Sequence, residues 1–305
     1  MTTTFTMDNA ALKMRLRDLK VPIGPRPVVY IDLPVHLNVG DLLINAGAEQ
    51  LFHDLGMTVD LRLTLFDADR LASAIRPEHV IVLHGGGNFG DIWPRHQMLR
   101  ERFIARFPNN RIIVFPQSVH YNDAKAAEAA GAVLRQHRDL HVFVRDHESR
   151  DYLRDTMAID AELMPDTAHQ LFGTLPQGAA ARDGRLLFLR RDKEASDVTG
   201  GGHIDWDDLV TTADKAICGL ARAAFRGSIN PTTQALICKG WYARRDDLIA
   251  RSSRYFDRYA LVETSRLHGA ILAQLLGVPV VPRDNYYGKI HRYMNAWQPE
   301  ALAAK

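Results

Sequence analysis

In the stretch VETSRLHGAILAQLLGVPVV, residues 262–281, a guanidinium at Arg266 stands two residues before an imidazole at His268, where an extended run gives way to a helical one. Free amides at a helix amino end favour phosphate or carboxylate; the guanidinium adds a two-pronged clamp and the imidazole a proton donor that titrates near neutral pH. Capping or packing is the plainer role for the histidine. Arg145 in VRDHES directly follows the apolar run 140–144, at the carboxyl edge where open parallel sheets collect ligands; its plainer role is a salt bridge to Asp146 or Glu148. The segment VIVLHGGGNFGDIW, residues 80–93, leads a buried strand into Gly85, Gly86, Gly87 and Asn88, so backbone amides can approach a ligand unobstructed; a tight turn is the alternative. This spacing is neither GxGxxG nor a P-loop, which argues against nicotinamide dinucleotide and ATP. In NVGDLLINAG, Asp41 and Asn45 follow the first strand, where Asp41 either caps a helix or orients a hydroxyl.

The elements that would position these groups are short, continuous apolar runs at 28–33, 59–66, 80–83, 111–115 and 140–144, the pattern of strands buried on both faces of a parallel sheet. Helical spacing at 41–55 and 123–137 supplies βαβ crossovers. The run GTLPQGAAARDG, residues 173–184, reads as a connection, after which the chain resumes with a strand from Arg185, helices at 207–225 and 232–255, a strand at 259–263, a helix at 267–276 and a strand at 278–281. The predicted architecture is α/β, in two Rossmann-like domains of residues 1–175 and 183–305 facing a cleft.

Composition narrows the partners. The 305 residues are 46% hydrophobic and 24% charged with net charge +2, too mild for a nucleic-acid surface. No long uncharged apolar run could span a bilayer, and the amino end lacks a secretory pattern, so a cytoplasmic location is expected. Cys218 and Cys238 have no CxxC partner, which argues against a disulfide framework or structural zinc. Arg244, Arg245, Arg251, Arg254 and Arg258 read as a solvated helix face, with peripheral contact at an anionic membrane surface as the alternative.

From Asn38 to Trp297 the segments NVGDLLINAG, HGGGNFGD, FPQSVHY, VRDHES, MPDTAHQL, FLRRDKE, TSRLHGAILAQLLGVPVV and DNYYGKIHRY occur in order, and the chain resembles the polysaccharide pyruvyl transferase family. FLRRDKE and DNYYGKIHRY look like its bacterial exopolysaccharide branch, which acts on lipid-linked repeat units. The resemblance implies paired Rossmann-like domains similar to B-type glycosyltransferases, phosphoenolpyruvate as donor, a sugar diol as acceptor, ketal formation with release of phosphate, and no metal or cofactor. It implies donor contacts from Arg145, Arg266 and His268, with a further family histidine at His84, His120 or His96. Two anionic groups on the donor call for at least two guanidiniums. Ketal chemistry needs an acid, for which His268 is the candidate, and a base, for which Asp41, Asp91 and Asp166 are candidates. The donor is expected on the second domain and the acceptor on the first, with Lys289 returning to the cleft mouth as an exposed side chain. A nucleotide-sugar glycosyltransferase is the rival enzyme reading, and a sugar- or phosphate-binding protein the non-enzymatic one.

Overall fold

The computed structural model describes residues 5–175, 181–191, 202–283 and 288–298. The Val- and Ile-rich runs form parallel strands: β1 (Val28–Ile31), β2 (Val59–Leu63), β3 (Val80–Leu83), β4 (Gly86–Gly90), β5 (Arg111–His120), β6 (Leu140–Val144) and β7 (Glu162–Leu163). They build one sheet in the order β2-β1-β3-β5-β6-β7, with β4 beside the far half of β5. A second parallel sheet follows, from β8 (Arg185–Phe188), β9 (Leu261–Thr264) and β10 (Val280–Pro282), ordered β10-β9-β8. In β1 and β3 every residue is buried, as a strand covered on both faces requires.

Eleven α-helices connect and cover the sheets among the described residues: α1 (Asn9–Leu16), α2 (Lys20–Ile23), α3 (Val39–Asp54), α4 (Ala68–Leu71), α5 (Pro94–Arg106), α6 (Ala124–Arg135), α7 (His147–Met157), α8 (Thr212–Gly227), α9 (Pro231–Phe256), α10 (Leu267–Leu275) and α11 (Lys289–Ala296). Their starts are set by side chains that satisfy orphan amides: Asn38 for α3, Asp123 for α6, Asp146 for α7, and a Thr211–Asp214 capping box for α8. That box explains why the helix expected from 207 begins at Thr212, after a 3₁₀ turn at Trp206–Leu209. The first strand stops at Ile31 because Asp32 adopts φ 72°, which no strand continues. Conversely, the strand expected at 111–115 runs on to His120, since β4 supplies a partner for its second half.

The ends of the chain cross between the sheets. Phe5 pairs antiparallel with Val280, and the Met7 amide donates to Gln274 Oε1 at 2.7 Å. In the other direction α11 packs against the first sheet: the Tyr293 hydroxyl accepts from the Asp166 amide, and Trp297 Nε1 donates to the Arg145 carbonyl at 2.8 Å. One apolar cluster runs from Ile31 and Leu83 through Phe188 and Val262 to Tyr293 and Trp297.

The long helix α9 also reaches the first sheet, through Trp241 Nε1 to the Pro34 carbonyl and Arg245 to Asn45 Oδ1. Its arginines are not one solvated face, a correction to the sequence reading: Arg244 and Arg251 clamp the buried Asp214, and Arg245 is itself buried. Both cysteines are buried and unbridged, and burial pushes the Cys238 thiol up to about 12. Among the described residues no helix is long and apolar enough to cross a membrane.

Candidate active site

Loops leaving the carboxyl ends of five strands, β1, β3, β6, β8 and β9, meet around one cavity of ≈ 470 Å³. They bring Asp32, His84, Arg145, Arg190, Arg266 and His268 to its wall, joined by Asp41 from the first turn of α3 and by Lys289 from the start of α11. Both sheets therefore contribute, at the edge where parallel sheets place ligands.

Arg145 and Asp166 are both fully buried and paired at 2.5 Å. Arg145 Nε also donates to Ser118 Oγ, which donates on to Asp146; the partner anticipated in VRDHES is thus Asp166 rather than Asp146 or Glu148, because Asp146 is committed to capping α7. The same Asp166 oxygen accepts from His268 Nε2 at 3.1 Å, and the second oxygen accepts from the Ala168 amide. Burial alone would push the Asp166 carboxyl up, but His268, Arg145 and that amide hold it well below the usual carboxylate range. A carboxylate only accepts, so His268 keeps a hydrogen on Nε2. Gly40 backs this ring: a Cβ there would lie 2.8 Å from His268 Nδ1.

Arg145 Nη2 has no hydrogen-bond partner among the described residues, although the side chain is buried on the pocket wall. His84 is in the same position. Its Nδ1 faces the Tyr30 hydroxyl at 2.5 Å, and the phenol, held protonated by burial, donates there; the imidazole hydrogen then sits on Nε2, which is buried without a partner among the described residues. Burial lowers His84 to about 4, so the ring is neutral at neutral pH. An unpaired buried donor costs roughly 1–3 kcal/mol. Two of them converging on one cavity describe a place built for an acceptor-rich guest.

Arg266 sends Nε and Nη2 to the buried Asp205, at 2.8 and 2.6 Å. The two-pronged contact expected of this guanidinium is thus made within the protein, which fixes its plane at the pocket wall. Asp32, in its strained backbone conformation, accepts from His96 Nδ1 at 2.8 Å and from Asn88 Nδ2 at 3.4 Å. Burial opposes a charge on His96, but Asp32 raises its pKa above the ordinary value. Asp41 is not the helix cap; Asn38 is, and Asp41 accepts from Asn38 Nδ2 at 2.8 Å and faces His36 at 3.6 Å. Burial would raise the Asp41 carboxyl, but His36, His268, His84 and His96 around it leave it below the usual value.

Other expected site residues stand elsewhere. Asp91 is absent from the cavity wall because its carboxylate accepts from the Asn122 and Asp123 amides at the start of α6. His120 bonds Asn122 and borders a smaller adjoining recess. Asn45 is buried behind the site under Arg245, and Gly85 lies against the Pro116 carbonyl. Gly86, at φ 121°, opens a strand rather than a turn. Gly87 lines the cavity, where a Cβ would meet Lys289 Nζ and Arg145 Nη2, so only glycine admits both cations. Lys289 is half-buried rather than exposed, and Tyr286 and Tyr287 lie outside the described residues. Asp32, His36 and Arg190 also line the cavity and carry no motif of their own; Asp32 and Arg190 stand just past β1 and β8, the position that marks Arg145, whereas His36 lies in the loop further on from β1.

The architecture resembles that of an uncharacterized Klebsiella pneumoniae protein of known crystal structure, with a TM-score of 0.65 over 95% of this chain and 94% of that one, at 20% identity. Sequence relatives include EpsO of Bacillus subtilis, provisionally named a pyruvyl transferase, 32% identical over 94% of this chain and 90% of that protein. Pyruvyl transferase 1 of Schizosaccharomyces pombe is 28% identical over 90% of this chain and 70% of its own length. The polysaccharide pyruvyl transferase profile matches residues 38–286, a span that holds Asp41, His84, Arg145, Asp166, Arg266 and His268, and so places the chain in the polysaccharide pyruvyl transferase family.

Proposed function

We propose that the protein transfers pyruvate from phosphoenolpyruvate to two hydroxyls of one sugar as a ketal, releasing phosphate, with the two sheets as halves of a cleft like that of B-type glycosyltransferases. The observation that carries this reading is the pair of unpartnered buried donors, Arg145 Nη2 and His84 Nε2, in a cavity that also holds Arg190, Arg266 and Lys289. A donor with a carboxylate and a phosphate supplies acceptors for both of these atoms.

In this reading His268 delivers a proton to the methylene carbon while a sugar hydroxyl attacks the adjacent carbon and loses its proton to Asp41. The carbon–oxygen bond to phosphate then breaks, phosphate leaves with both electrons, and the second hydroxyl closes the ring as its proton goes to the departing phosphate. Asp166 serves as a positioning residue, since it is enclosed and already holds Arg145 and His268. Asp41 is supported as base by its place on the wall, where its lowered pKa leaves it ionised at neutral pH. A polysaccharide repeat unit, free or lipid-linked, is the proposed acceptor.

Ligand protection tests the donor. Saturating phosphoenolpyruvate at about a hundred times its dissociation constant is expected to stabilise the fold by about 2.7 kcal/mol, with nucleotide sugars giving no shift. Arg266→Lys cannot reproduce the planar fork and is expected to lose most of that protection, along with on the order of 100-fold in kcat/KM. Protection by nucleotide sugars instead of phosphoenolpyruvate would reverse the assignment.

A further inference from the structure

α8 and the first half of α9 form a hairpin laid on the body of the molecule. Its inner side is fixed by Arg222 Nε and Trp241 Nε1 on the carbonyls of Val35 and Pro34, and Arg70 clamps the turn through the carbonyls of Phe225 and Ser228. The outer side reverses the usual pattern of a surface helix. On α8 the exposed residues Ala213, Ala216, Ile217, Leu220, Ala223 and Ala224 recur at helical spacing as an apolar stripe, beside the exposed Lys215 and Arg226.

Four of the seven large exposed hydrophobics among the described residues fall in this hairpin: Ile217 at 39%, Leu220 at 71%, Ile229 at 77% and Leu236 at 69% exposure. A concentration of exposed apolar side chains of this kind points to an interaction site. Its charges are of one sign. From Thr212 to Ala243 the chain has four bases, Lys215, Arg222, Arg226 and Lys239, and one acid, Asp214, which is buried under Arg244 and Arg251. A second copy docked through this face would set bases against bases with no exposed acid to answer them. An anionic bilayer surface answers both features, since apolar side chains enter the boundary below the headgroups while lysines and arginines meet the phosphates.

We infer that the outer face of the α8–α9 hairpin docks the protein on an anionic lipid surface, with Leu220, Ile229 and Leu236 inserted and Lys215, Arg226 and Lys239 on lipid phosphates. This face is separate from the cavity wall, so the inference stands whatever the pocket turns over.

The test is co-sedimentation of the full chain with vesicles of phosphatidylcholine containing phosphatidylglycerol, and with phosphatidylcholine alone. Binding is expected to the anionic vesicles, to weaken as salt is raised, and to be far lower on the neutral ones. The double variant Leu220→Ser/Leu236→Ser is expected to lower partition at least roughly tenfold, because two inserted leucines are lost. Lys215→Gln/Lys239→Gln is expected to abolish the preference for anionic lipid. Unchanged melting temperatures and far-ultraviolet spectra show that both variants fold. Absence of vesicle binding by the native chain overturns the inference, as does binding that neither variant alters. A native dimer that the leucine variant dissolves, without vesicle binding, assigns the face to self-association and also overturns it.

Discussion

Asp166 has no exposed surface, yet one of its oxygens holds both Arg145 and His268 while the other starts the 3₁₀ turn Thr167–Leu171. Asp166→Asn keeps the shape and removes the charge. It is expected to cost about 3–5 kcal/mol in denaturant unfolding, because the buried Arg145 guanidinium is left uncompensated. Activity should fall further than stability accounts for, as His268 loses its fixed orientation. A variant that is stable and active would show that Arg145 finds another counter-charge. At this scale Arg145 and Arg266 were legible because each sits within two residues of a strand end, a position readable from an apolar run, and His268 because it opens the helix that follows β9. Asp166 was visible only as one carboxylate among three; its partners lie 21 and 102 residues away, and no local spacing encodes them. Asp32 was hidden for another reason, since it reads as the end of a strand and only its φ of 72° turns it toward His96.

At the scale of elements, the site depends on how closely α3 meets α10. Gly40 in the first turn of α3 lies against the His268 ring, and Gly47, about two turns further along the same face, would place a Cβ on the Thr167 carbonyl. Gly40→Ala is expected to displace His268 and lower kcat by roughly tenfold for about 1 kcal/mol of stability, the ordinary penalty of overpacking. An unchanged kcat at the same loss of stability would mark the contact as packing alone. β-Branched runs announced β1, β3 and β6 in the sequence because parallel strands buried on both faces need them. GGNFG has the composition of a loop or turn; the strand geometry of β4 comes from the pairing offered by β5, a tertiary cause. The helices α5 and α7 are rich in charge and carry few apolar residues, Leu99, Phe103 and Ile104 on one and Leu153 and Met157 on the other among those buried, which leaves them unannounced.

Across the whole molecule, burial of neutral histidines sets the acid limit. Burial lowers His84 and His169 to about 4, whereas both titrate near their ordinary value when unfolded. As pH falls below about 6.5 the unfolded chain takes up protons first, so stability drains away down to pH ~4, by about 3 kcal/mol for each histidine. Loss of the Asp166 contribution, which is present above the ordinary carboxylate pKa, follows at lower pH still. His96 acts in the opposite sense: raised by Asp32, it adds stability below its ordinary pKa that is lost as pH rises through the raised value. Denaturant melts at pH 7 and about 4.5 are expected to differ by several kcal/mol in the native chain, and by less in His169→Asn; an equal difference in both would refute the assignment. Crossing of the chain ends between the sheets, with α11 on the first and Phe5 on the second, was not legible at all, because it depends on contacts such as Tyr293 with His169 and Asp166 between distant segments.

The reaction itself is tested most directly by incubating the protein with phosphoenolpyruvate and a panel of glycosides, free and lipid-linked, while following phosphate release and product mass. The expected result is phosphate released only when a diol acceptor is present, matched by a sugar product heavier by one pyruvate less one water, and formed on the order of 100-fold more slowly with Arg266→Lys. Phosphate release without a pyruvylated product, or a sugar transferred from a nucleotide sugar in the same cavity, would contradict the account.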